Sequence, residues 1–467
     1  MRYISTRGHA APRDFADVLL AGLAEDGGLF VPETWPHFSP ADWRAMRGLS
    51  YPALAARIMQ PFVGTAIPFD VLSRICHDAY ADFGHPAIVP LTQLGNSLFV
   101  QELFHGPTLA FKDMAMQVLG RLFDHVLRQR DARVTIVGAT SGDTGSAAIE
   151  ACAGRDRIDI VILHPHERTS LVQRRQMTTV HAANVGNVAL LGTFDDCQDL
   201  VKAMFADQPF RTEMHLSAVN SINWARIAAQ VPYYVASALD LGAPDREVAF
   251  SVPTGNFGNV LAAWVARRIG LPIARLIIGS NRNDILNRFF TANDMSIATV
   301  EPSLSPSMDI QVSSNFERLL FEMLGRDPAA TAAMTRDFRQ TGRMPVPETA
   351  WHRARQLFHA FRLDDEATKA EIRRLHETTG YLADPHSVIG IAAASAHAPH
   401  PAVPVIAMAT AHPAKFPDAM EAATGLRPAL PARLADLFAR EERFTILPND
   451  LAAVQANVRA LVGRNAV

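Results

Sequence analysis

Short apolar runs alternating with helical stretches fill the chain from about Leu98 onward, and no other feature restricts its fold as much. Residues 133–137, 158–163, 185–191, 248–252, 275–278 and 403–408 each read as a buried strand, with amphipathic or small-residue helices between them. This is the pattern of parallel sheet units joined by crossover helices, so the expected class is α/β. The 467 residues, 48% apolar and 19% charged, can bury large cores and are not composed like a disordered chain. A net charge of −3 without a long basic block points to neither a nucleic acid nor a membrane surface as partner. Cys76, Cys152 and Cys197 form neither a disulfide framework nor a metal-ligand spacing, so they read as reduced core residues and no metal is expected. The first residues lack the apolar core of a signal peptide, and prolines and histidines interrupt the uncharged stretch 385–414. A cytoplasmic protein without a membrane span is expected.

Residues 1–86 read as a separate N-terminal module. Helices are predicted at 14–24, 51–60 and 69–81, with a proline-punctuated loop around Trp35, and the Phe83-Gly84-His85-Pro86 turn closes the module. Residues 87–435 form the expected catalytic region, and 436–467 read as a C-terminal helical appendage.

Open parallel sheets bind ligands beyond the carboxyl ends of their strands, so the segments following the strands carry the functional argument. After the run ending at Leu103, Gly106-Pro107 marks a turn, Thr108 reads as a helix cap, and Lys112 falls in the first turn of a long helix. The positive end of the helix dipole and partial burial between Phe111 and Met114 both disfavour an ammonium there, which favours a nucleophilic amine of the Schiff-base kind. The strand ending at Val137 leads to Ser141-Gly142-Asp143-Thr144-Gly145, whose hydroxyls and amides suit a carboxylate. The strand ending at Val252 leads to Gly255-Asn256-Phe257-Gly258-Asn259, a turn suited to cradling a phosphate. It has neither dinucleotide-fingerprint nor P-loop spacing, which argues against hydride transfer and nucleotide hydrolysis. The last strand leads to Thr410-Ala411-His412-Pro413-Ala414-Lys415-Phe416, where the Thr410 hydroxyl can bond a ring nitrogen without protonating it. A lysine amine, a lysine-free phosphate cradle and a neutral ring-nitrogen partner are together what pyridoxal 5'-phosphate requires.

These motifs, in this order, resemble those of the threonine synthase family, and Pro107 through Asp113 is the most specific of them. The resemblance implies a fold type II pyridoxal-phosphate enzyme with two lobes of open, mostly parallel sheets flanked by helices, plus a small N-terminal module. It implies that Lys112 carries the cofactor, that Gly255, Asn256, Phe257, Gly258 and Asn259 hold its phosphate, and that Thr410 faces its ring nitrogen. Ser141 and Thr144 would lie along the substrate carboxylate. Asp143 would stand beside the cofactor's phenolic oxygen, where many relatives of the fold have asparagine and a carboxylate is repelled unless the pair shares a proton. Asn220, Ser221 and Arg226 form the candidate substrate-phosphate site, Asn220 and Ser221 donating from a helix start and Arg226 supplying a forked cation. Their bland reading is a cap and a solvated face. Ser305 to Ile310 also resembles a family segment, with no role assigned to its atoms.

The implied reaction converts O-phospho-L-homoserine and water to L-threonine and phosphate by γ-elimination and β-addition. Two alternatives are a serine or threonine dehydratase, which needs no second phosphate site, and a non-catalytic cofactor-binding metabolic sensor. A small-molecule substrate, no nucleic acid, no membrane, and a monomer or homodimer complete the expectation.

Overall fold

The computed structural model describes residues 1–217 and 220–464. The chain divides into two compact units, one built from Met1–His105 and Ser221–Pro428, the other from Gly106–Asn220 and Ala429–Val467.

The first unit contains a six-stranded sheet in the order Phe358–Arg362, Ile273–Ser280, Val248–Pro253, Val405–Ala409, Leu98–Glu102, Leu91–Gln93. All its pairings are parallel except the last. Val248–Pro253 is buried along its whole length, as expected for a strand covered on both faces. The helix Pro385–His397 packs on this sheet, its Val388, Ile389 and Ile391 sharing a core with Val100, Ala249 and Ala407. The predicted N-terminal helices are present at Phe15–Ala21, Tyr51–Val63 and Phe69–Tyr80. They lie within this unit because their apolar faces have partners further along the chain: the ring of Phe62 sits 5.8 Å from that of Trp224.

The second unit holds a five-stranded, all-parallel sheet in the order Thr445–Pro448, Val185–Leu191, Ile158–Pro165, Val134–Ala139, Leu216–Ser217. The stretch 436–467, expected to be a helical appendage, thus contributes an edge strand as well as the helix Leu451–Arg464. Thr445–Pro448 is largely exposed and ends in proline, as edge strands do, so it lacks the apolar run by which a buried strand is recognised. Val454 and Val458 of the following helix join Val188, Leu190 and Phe210 in the core.

Cys76, Cys152 and Cys197 are buried and unpaired with one another. Among the described residues no helix is long and apolar enough to cross a membrane.

Candidate active site

In the second unit Lys112 is the first residue of the helix Lys112–Gln129. Thr108 does not cap that helix. Its amide and hydroxyl instead donate to the two oxygens of Asp113, at 2.8 and 2.7 Å, because the chain turns back at Leu109, whose φ of 60° is left-handed. Gly106 is required at the same turn, since a Cβ there would run into the Asp113 side chain. Asp113 therefore closes the turn, and the carboxylate that meets Lys112 comes from elsewhere.

That carboxylate belongs to Asp143, whose Oδ2 lies 3.1 Å from the Lys112 Nζ, the two side chains being 5% and 10% exposed. Asp143 opens the helix Asp143–Cys152, where the helix dipole favours a negative charge, and its Oδ1 accepts from Gln173 Nε2 at 2.8 Å. In the same loop Thr140 Oγ1 accepts from the amides of Gly142 and Gly145 at 3.0 and 2.9 Å. Those two donors, expected to serve a carboxylate ligand, are already used. Ser141 stays exposed and Thr144 half-buried.

In the first unit the strand Val248–Pro253 runs into the glycine turn, and Phe257 at φ 62° opens the helix Gly258–Arg268 without a side-chain cap. The Gly255 carbonyl accepts from Ser313 Oγ at 2.7 Å, and the Asn256 carbonyl accepts from the Asn315 amide and Nδ2 at 3.1 and 3.0 Å. In a trans peptide the C=O and N–H point opposite ways, so the N–H groups of Asn256 and Phe257 are directed away from that scaffold. Such outward amides at a helix start form an anion cradle. The segment Ser305–Ile310 backs it. A Cβ on Gly255 would come 2.9 Å from the Ser307 carbonyl and 3.1 Å from Met308 Cα, and Asp309 is held by the side-chain amides of Asn281 and Asn283 at 2.7 and 2.9 Å. The Phe257 ring is a core side chain against Phe290, Phe316 and Phe358, leaving only its backbone for a ligand. Asn259 is 6% exposed, and its Oδ1 accepts from the hydroxyls of Tyr233 and Tyr234 while Nδ2 has no partner. The donor set of outward amides and a fixed, unused Nδ2 fits a phosphate.

Thr410 follows the strand Val405–Ala409, which pairs with Val248–Pro253, so two of the candidate segments leave adjacent strands. It is 6% exposed, and its hydroxyl makes no hydrogen bond to a described residue. The His412 Nδ1 accepts from the Ala414 amide at 3.1 Å. Lys415, of a residue type usually solvated, is fully buried.

The helix start near residue 220 differs from expectation. Asn223 caps the helix Trp224–Ala228 by accepting from the Ala225 amide at 3.0 Å, so Asn220 and Ser221 precede the cap and do not donate from it. The Ser221 carbonyl accepts from Asn315 Nδ2 at 3.1 Å, the same side-chain nitrogen that meets the Asn256 carbonyl of the glycine turn. Arg226 is 5% exposed, so the solvated face is excluded. Its Nε and Nη1 have no hydrogen-bond partner, and burial pushes its pKa down to about 10.

Gln173, Tyr233, Tyr234, Ser313 and Asn315 were not found by sequence reasoning, because none belongs to the motifs at the strand ends. Only Asn315, just before an apolar helix, carries a local signal. Among the described residues no group of three or more His, Cys, Asp or Glu is arranged to hold a metal ion.

Residues 2–80 match the family described as threonine synthase N terminus, 85–410 the pyridoxal-phosphate dependent enzymes, and 387–458 threonine synthase, C-terminal. The chain is 55% identical over 459 residues to a threonine synthase of Pseudomonas aeruginosa, covering 98% of each protein. Its structure is similar to that of a threonine synthase from Brucella melitensis with pyridoxal phosphate bound, at TM-score 0.97, 52% identity and 99% coverage of each chain. The Escherichia coli threonine synthase gives TM-score 0.82 and 32% identity, covering 98% of this chain and 100% of that one.

Proposed function

Because the chain belongs to the threonine synthase family of pyridoxal-phosphate-dependent lyases, we propose that it converts O-phospho-L-homoserine and water to L-threonine and phosphate. The cofactor is pyridoxal 5'-phosphate. When bound it supplies the electron sink for carbanions beside the substrate nitrogen. The protein supplies attachment, orientation and proton transfer. Lys112 would provide the amine that carries the cofactor and would move protons at successive substrate carbons. Asp143, fixed by Gln173, holds that amine in place. The amides of Asn256 and Phe257, with Gly255 and Gly258 allowing close approach and Asn259 adding its Nδ2, take the cofactor phosphate. The Thr410 hydroxyl would face the ring nitrogen without protonating it, which would temper charge delocalisation and favour elimination and replacement over transamination. Ser141 and Thr144 receive the substrate carboxylate, and Arg226, with Asn220 and Ser221 nearby in sequence, receives the phosphate that leaves. A monomer or homodimer in the cytoplasm completes this reading.

The observation that carries the substrate assignment is Arg226. A buried guanidinium whose Nε and Nη1 lack partners is costly, and it is supported as a functional feature because a bound phosphate would supply hydrogen bonds and the missing charge. A dehydratase acting on unphosphorylated hydroxyamino acids has no use for it. The deciding experiment supplies the cofactor-loaded protein with O-phosphohomoserine, serine or threonine and measures amino-acid products and phosphate. Threonine and phosphate in equal amounts from O-phosphohomoserine are expected. Turnover of serine or threonine alone would favour the dehydratase, and turnover of none of them a sensor.

A further inference from the structure

We propose that Ser387 and Asp384 are positioning residues that set Thr410 for its contact with the cofactor ring, an inference that rests on the role given to Thr410 above. The Thr410 amide lies beyond the register that joins its strand to Val248–Pro253, which ends at Ala407↔Ser251. It donates instead to Ser387 Oγ at 2.8 Å. The Ser387 hydroxyl has one proton and gives it to Asp384 Oδ2, so its lone pairs are left to accept from Thr410. A carboxylate only accepts, which fixes the direction of the whole series. Asp384 is itself immobilised: Oδ1 accepts from the His386 amide and from His386 Nδ1, both at 2.9 Å, and Oδ2 also accepts from the Ser387 amide at 3.3 Å. Both Asp384 and Ser387 are fully buried.

A helix cap alone does not explain this arrangement. Asp384 caps Pro385–His397, but an exposed serine or aspartate does that without burying a charge. What burial adds is rigidity at the far end of the series. Threonine is β-branched and stiff at χ1, so the direction of its hydroxyl follows its backbone, and the Thr410 backbone is held by Ser387. A displacement of about 1 Å at such a contact is worth roughly 100-fold in rate, which is the scale on which a positioning residue acts.

The test uses the full-length protein loaded with pyridoxal phosphate and a double-mutant cycle of Ser387→Ala and Thr410→Val, read by the visible absorption band of the bound cofactor and by kcat and KM. Ser387→Ala is expected to keep a full complement of cofactor, to shift the band, and to lower kcat roughly 10- to 100-fold with KM within about 3-fold of the starting value. In the Thr410→Val background the same substitution should change neither the band nor kcat. Asp384→Asn, which keeps the cap but can donate to Ser387 and so reverse the series, should shift the band in the same direction. It takes the place of Ser387→Ala in the cycle if that variant does not fold. Additive effects, or a Ser387→Ala protein with an unshifted band, overturn the proposal while leaving the role of Thr410 standing. An unshifted band in Thr410→Val overturns the role of Thr410 and this proposal with it.

Discussion

Lys112 Nζ stands 3.1 Å from Asp143 Oδ2, and the other Asp143 oxygen accepts from Gln173 at 2.8 Å, so the lysine meets a carboxylate that cannot swing away. The two residues are brought together by two helix starts, Lys112–Gln129 and Asp143–Cys152, the helices that precede and follow the strand Val134–Ala139. An amine held in this way has a defined position before any ligand arrives, and the predictions begin with it.

Borohydride reduction of the cofactor-loaded protein should yield a modified peptide that contains Lys112. Lys112→Ala should lose the modified peptide, the visible band and turnover together. Labelling of Lys415 or Lys202 would move the attachment site.

The two glycines of the 255–259 turn should separate folding from binding. Alanine at Gly255 meets backbone atoms of Ser307 and Met308 at 2.9 and 3.1 Å, so Gly255→Ala should lower thermal stability. At Gly258 the nearest atoms are Asn315 Nδ2 at 3.4 Å and Ile227 Cδ1 at 3.6 Å, ordinary contacts. Gly258→Ala should therefore fold normally, and Gly258→Leu should weaken cofactor binding most. Cofactor titrations followed by fluorescence, beside thermal melts, check both, and an unchanged cofactor affinity in Gly258→Leu would remove that residue from the cradle.

Arg226 should trade stability for recognition. Burial lowers its pKa from the ordinary guanidinium value to about 10, so the charged form is penalised in the folded state. The penalty is complete at neutral pH and is relieved only as pH rises through about 10. Arg226→Met should accordingly be more stable than wild type by about 1 to 3 kcal/mol in phosphate-free buffer. Inorganic phosphate should raise the melting temperature of the wild type and not of the variant. Arg226→Ala should keep the cofactor band while kcat/KM for O-phosphohomoserine falls roughly 30- to 1000-fold, with only partial recovery in Arg226→Lys. Near-wild-type kcat/KM in Arg226→Ala would place the substrate phosphate elsewhere.

Glu150 should give the protein a pH-dependent stability below neutrality. Burial pushes its carboxyl from 4.5 up to about 7, the Asp113 charge adds to the effect and Arg440 opposes it. The folded state thus binds a proton that the unfolded chain has released between pH 4.5 and about 7, so its contribution is complete below pH 4.5 and is lost as pH rises through about 7. Glu150→Gln should flatten that part of the stability curve and exceed the wild type above pH 7 by about 1 to 3 kcal/mol. Denaturant midpoints at pH 5, 6, 7 and 8 on the order of these values decide it, and parallel curves for the two proteins would reject the assignment.

The features that could be read from the chain alone depend on neighbours in sequence. Buried parallel strands announce themselves as apolar runs, Lys112 sits a fixed distance beyond Gly106-Pro107, and the 255–259 turn directly follows a strand. The edge strand Thr445–Pro448 escaped because its residues face solvent and carry no apolar run. What tertiary structure decided is which polar groups end up paired. Thr108 turned to Asp113 rather than to the helix start, Asn223 took the cap expected of Asn220 and Ser221, and Asp143 found Lys112 from 31 residues away. Arg226 shows the limit most clearly. Its charge and its place after Asn223 are visible in the sequence, but burial without a partner is a property of everything packed around it, and the free energy of a charge is set by that surrounding medium rather than by its neighbours along the chain.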